Sequence, residues 1–137
     1  MATFTRFEDI ESWQKGRHLA RSIYSTTSQG PFARDYGLRD QVRRSAVSIM
    51  ANIAEGFGRG GNREFVTFLS NARGSCAEVK SHLYVALDCG LLPQKEFDAF
   101  YSVADETEGL ISGLMKYLAN SEVRGRKFKQ PSSNRKL

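Results

Sequence analysis

LRDQVRRSAVSIMANIAEGFG, from Leu38 to Gly58, is the stretch whose reading decides the fold. Leu38, Val42, Ala46, Ile49, Ile53 and Phe57 recur at steps of four and three, which makes one apolar stripe on an α-helix. The opposite face is unusual, because Val47, Ala51 and Ala54 lie there with Ser48 among them. From Ser45 to Ala54 the helix is therefore small or apolar almost all round. A helix of that character is covered on two sides. In a chain of 137 residues, enough for one domain with one core, the second cover is expected from another copy of the chain. Val47, Ser48, Ala51, Ala54 and Glu55 are the expected subunit contacts.

Working outward, the same period governs the neighbours. Phe7 to about Thr27 reads as a first helix, with Phe7, Ile10, Trp13, Ala20, Ile23 and Tyr24 on one face and acids in its first turn. Gly16 falls near that face and suits a close neighbour. Ser28-Gln29-Gly30-Pro31 is a stop signal. After the Gly58-to-Asn62 break, a third helix is expected from about Arg63 to Cys89, along Phe65, Leu69, Ala72, Cys76, Val79, Leu83 and Ala86. Gly90 suits its C-terminal cap, and Pro93 the start of a fourth helix to about Leu118. Gly74 in the third helix, with Gly109 and Gly113 in the fourth, reads as a sign of close helix packing. No segment alternates at period two, and the connections are short. The expected fold is all-α: an antiparallel up-down-up-down four-helix bundle over residues 1–120, with a disordered basic tail over 121–137.

The composition is 40% hydrophobic and 26% charged, as in a soluble globular protein. No apolar run approaches a membrane span, and the acidic N-terminal stretch is unlike a signal peptide, so the expected location is cytoplasmic. Cys76 and Cys89 are the two cysteines, too few for a disulfide framework. The net charge of +5 is unevenly spread. Residues 1–120 carry 14 basic and 14 acidic side chains, so the excess resides in the tail. Within the body, 1–73 has 11 basic against 7 acidic residues and 74–120 has 3 against 7. Affinity for phosphates is then expected from the front half or the tail.

Chemistry is sparse. Gly56-Phe57-Gly58-Arg59-Gly60-Gly61 spells GxGxxG, but a helix precedes it where the dinucleotide fold needs a strand. A turn between helices is the better reading, with phosphate on the amides that start the third helix, beside Arg59 and Arg63, as a residual option. Glu78, His82 and Cys89 make a poor metal set, and no nucleophile motif or paired Glu-x-x-His is present. No catalysis, no metal and no cofactor are expected. The arginines remain: Arg39, Arg43, Arg44, Arg59, Arg63 and Arg73 in the body, then Arg124, Arg126, Lys127 and Lys129 around Phe128 in the tail. Arg43 suits a carboxylate partner such as Glu55 or Glu78. The tail suits phosphate attraction with a stacking ring, or equally a solubilising extension.

FEDIESWQKGRHLARSIY, LRDQVRRSAVSIMANIAEGFGR and EFVTFLSNARGSCAEVKSHLYVALDCGLL together resemble the four-helix-bundle family named for proteins encoded in intervening sequences of bacterial 23S rRNA genes. The resemblance runs from about Phe7 to Leu118 and is most specific from Gln41 to Arg59. Many members have proline where this chain has Met50, so a kink is not expected there. The resemblance implies a cytoplasmic bacterial protein assembled as a ring of five subunits, without catalysis and suspected of acting with nucleic acid. Related accessory proteins of diversity-generating retroelements form similar basic rings with a reverse transcriptase and RNA. Two functions follow as expectations: RNA or DNA binding through phosphates, or an adaptor ring that docks a protein partner such as a reverse transcriptase.

Overall fold

The structure is a computed structural model, and it describes residues 4–121. Four long helices dominate: α1 (Glu11–Thr26), α3 (Tyr36–Gly58), α4 (Asn62–Asp88) and α5 (Gln94–Asn120), with a short α2 (Gly30–Arg34) between the first two. No strand occurs among the described residues. α1 packs on α3 and α5, α3 on α4, and α4 on α5, which closes a ring of four. Each contact is antiparallel. Gly16 meets Ile49 and Met50, Ser48 meets Ser75, and Arg73 meets Ser112 while Asn62 reaches Leu118. The up-down-up-down bundle is as expected, and α1 with α3 forms one layer against α4 with α5.

The apolar stripes meet inside. Leu19, Ile23, Ile49, Ile53, Phe65, Leu69, Val79, Leu83, Ile111 and Leu118 are all buried almost completely. Two glycines permit the closest approaches. A Cβ on Gly16 would lie 3.2 Å from Ile49 Cγ2, and one on Gly56 would lie 2.7 Å from Phe68 Cβ, too close without movement of α3 or α4. Gly74, Gly109 and Gly113, by contrast, have nothing within 4 Å of such a Cβ. Their expected role in close packing within the bundle is not met; they face outward.

The ends differ from the sequence reading in detail. Phe7–Asp9 is a separate 3-10 turn, because Ile10 is extended (φ −80°, ψ 122°) and breaks the path into α1. Asp35 caps α3 by accepting from the Leu38 amide at 3.1 Å, so that helix starts at Tyr36. It runs through Met50 without interruption. Gly90 (φ +74°) closes α4: its amide donates to Leu87 O at 3.1 Å and that of Leu91 to Ala86 O at 2.9 Å, a Schellman ending that requires the left-handed conformation.

Candidate nucleic-acid interface

In the α1–α3 layer Arg43 and Arg44 have no carboxylate partner among the described residues, whereas Lys15 pairs with Glu106 at 3.2 Å and Arg39 with Asp40. Arg43 lies over the Tyr24 ring at 4.4 Å from its centroid. Its Nε donates to Thr27 Oγ1 at 2.8 Å and its Nη2 to Ser28 Oγ at 3.1 Å. Those hydroxyls are aimed by their own bonds, Thr27 to Ile23 O and Ser28 to Tyr24 O. The guanidinium thus sits at the carbonyl end of α1, where the helix dipole favours a cation. The expected carboxylate partner is not there: hydroxyls and a ring take its place. Arg39 repeats the pattern at the end of α2, donating to Ala33 O at 3.1 Å and lying 4.8 Å over Tyr36, with Asp40 at 3.0 Å. Arg44 is exposed and has no partner among the described residues. Tyr24, Asp40, Arg43, Arg44 and Val47 line a shallow groove of about 330 Å³.

Three residues of this face were missed from the sequence. Tyr24, expected on the core face, is 45% exposed, with the Arg43 guanidinium over its ring. Arg17, 5.9 Å over Trp13, and Arg21 lie on the same exposed edge of α1. Their signal was available: Trp13, Arg17, Arg21 and Tyr24 run at helical spacing as a second stripe beside the core one.

The other expected contacts are scattered. Arg59 pairs with Glu55 at 2.8 Å and lies over Phe68 at 4.9 Å, fifteen residues along from Arg44, or about 23 Å at the helical rise. Arg63 is exposed beside it. At the start of α4, where the residual phosphate option lies, the exposed Glu64 places Oε1 2.9 Å from where a Gly61 Cβ would be, a carboxylate near the helix end that an anion would approach. Arg73 is in the other layer, half-buried and donating to Ser112 Oγ at 3.2 Å. Arg124, Arg126, Lys127 and Lys129 lie outside the described residues.

In the α4–α5 layer one cation, Lys80, is spent internally. Lys80, with a side chain 15% exposed, donates to Asp105 at 2.6 Å and Glu108 at 2.7 Å. Burial alone would lower its pKa; the two carboxylates outweigh that and hold it above the usual lysine value. Burial pushes the neighbouring Cys76 thiol up to about 12, helped by the charge of Glu108. No group of three His, Cys, Asp or Glu among the described residues is placed to hold a metal ion. No described helix is long and apolar enough to cross a membrane.

The profile of the family described as 23S rRNA-intervening sequence protein matches residues 8–113, most of the chain. The chain belongs to that family. A search of curated proteins finds no match. Among solved structures, this chain is similar to a protein of unknown function from the S23 ribosomal protein family of Bacteroides thetaiotaomicron VPI-5482. The TM-score is 0.71 at 19% identity, covering 77% of this chain and 98% of that one. At that identity the likeness establishes the fold. The family match, like the resemblance, excludes the tail.

The expected subunit contacts of this family member lie mostly outward on α3. Val47 is 40% exposed, Ala51 and Glu55 are exposed, and Ala54 is half-buried. Ser48 turns instead toward its own α4, 2.9 Å from Ser75 Oγ, and receives Asn52 Nδ2 at 3.0 Å.

Proposed function

We propose that this protein is a non-enzymatic homo-oligomer, with five copies the expected number, that binds RNA or DNA through phosphate contacts made by the α1–α3 layer. The observation that carries this reading is the run of cations held on or beside exposed aromatic rings, Arg43 on Tyr24 and Arg39 on Tyr36, with Arg44, Arg17 and Arg21 alongside. A guanidinium offers paired donors that match two phosphate oxygens, and a ring edge or face beside it accepts an unstacked base. Ring-like assembly would repeat the patch, so that weak contacts add along one strand. Self-association is supported by Val47 and Ala51, which leave the outer face of α3 apolar without a cover in the single chain.

Fluorescence polarisation with mixed-sequence single-stranded RNA and DNA tests the binding. Affinity should fall more than ten-fold between about 50 and 200 mM salt, with little sequence preference. Absence of binding at the lower salt would defeat the reading and favour the adaptor alternative. Light scattering tests the assembly: Ala51→Glu should dissociate it, since the substitution places a charge between copies. A wild-type monomer at working concentration would contradict it.

A further inference from the structure

A second groove, of about 430 Å³, lies between the start of α1 and the outer face of α5. Its floor is Gly109 and Gly113, over which a Cβ would meet nothing within 4 Å, and Phe4, Ile10, Leu110 and Leu114 supply apolar walls. Ser12 lines it, is 2% exposed, and has an Oγ without a hydrogen-bond partner. On the rim, Asp9 accepts only from Thr5 at 3.2 Å, and Glu11 has no partner among the described residues. α1 also begins without a side-chain cap. The groove therefore calls for an extended segment with a large apolar side chain and cations for Asp9 and Glu11.

We propose that the occupant is the chain's own C-terminal segment, with Phe128 over Gly109 and Gly113, and Arg126, Lys127 and Lys129 against Asp9 and Glu11. Residues 122–137 carry six basic side chains and one acidic one, the opposite sign to the rim. They also start at the right place. Ser121 ends α5 eight residues beyond Gly113, about 12 Å along the helix axis. Seven residues separate Ser121 from Phe128, and an extended chain of that length spans up to about 24 Å, so the reach is sufficient. The docking itself needs no nucleic acid.

Limited trypsin digestion of the full chain, without nucleic acid, tests this by timing cleavage after Arg124, Arg126, Lys127 and Lys129. Cleavage reads the undocked fraction, so Phe128→Ala should speed it roughly ten-fold, and Gly113→Leu, which fills the groove from an open position, should do the same. Asp9→Asn with Glu11→Gln should give a smaller acceleration that wild type reproduces at high salt. If Gly113→Leu fails to fold, Phe128→Ala alone still reads the contact. Equal cleavage rates in wild type and both variants would overturn the proposal. So would protection that grows with protein concentration, which would assign the groove to a second copy.

Discussion

Lys80 in the α4–α5 layer and Arg43 in the α1–α3 layer meet opposite surroundings. Residues 11–58, the α1–α3 layer, carry seven basic against four acidic side chains; residues 62–120, the α4–α5 layer, carry five against eight. The larger contrast is in what the cations touch. Lys80 is enclosed by two carboxylates over the Tyr101 ring and does its work inside the fold. Arg43 is braced by hydroxyls and a ring, which orient it without cancelling its charge. A braced but un-neutralised guanidinium keeps its field and has lost part of its conformational entropy in advance, which suits it to bind an anion.

Reversing one charge in each layer gives the sharpest test of that contrast. Lys80→Glu would set three carboxylates together and should cost about 2–3 kcal/mol of stability in denaturant unfolding. Arg44→Glu, on the exposed side, should change stability by less than about 0.5 kcal/mol. Equal losses would break the distinction. Binding should invert the order: Arg43→Ala and Arg44→Ala should each weaken nucleic acid by about three- to ten-fold and lower the salt slope by about one. Arg73→Ala, in the other layer, should change affinity by less than about two-fold on the same argument. A loss at Arg73 as large as at Arg44 would mean that position in the bundle does not matter.

Alkaline pH sharpens the account of the α4–α5 layer. Cys76 and Lys80 both keep their protons longer in the fold than the unfolded chain does, with ordinary values of 9.0 and 10.5. The unfolded state therefore binds fewer protons above about pH 9, and stability must fall as pH rises. Thermal midpoints should drop progressively from about pH 9 to 12, and Lys80→Met should remove the part of the drop that begins above about pH 10.5. The smallest effect expected is on the braces: Thr27→Val, which deletes the hydroxyl under Arg43, should cost about 1 kcal/mol or less in stability and a few-fold in binding.

The stripes of six and seven apolar residues in what became α3 and α4 made the bundle legible, since period alone distinguishes a helix from a strand and short loops make neighbours antiparallel. Gly90 was legible for the same local reason: only glycine readily takes its positive φ. The candidate interface was legible in part. Arg39, Arg43 and Arg44 stand out as a cluster in the sequence, but periodicity places Tyr24 on the core face and does not single out Arg17 and Arg21. Helical periodicity tells how wide an apolar face is; it does not tell where a neighbouring helix stops covering it.

What the sequence determined by itself was therefore local and periodic: four helices, their order, their buried faces, and the sign of charge in each half. Only the tertiary structure decided which arginines are spent. Arg43 finds hydroxyls sixteen and fifteen residues away, Arg73 finds Ser112 across a helix seam, and Arg44 finds no partner among the described residues. Partnership at that range depends on rotation and register between helices. Those are set by close contacts such as Gly16 on Ile49 and Gly56 on Phe68, and helical periodicity does not encode them.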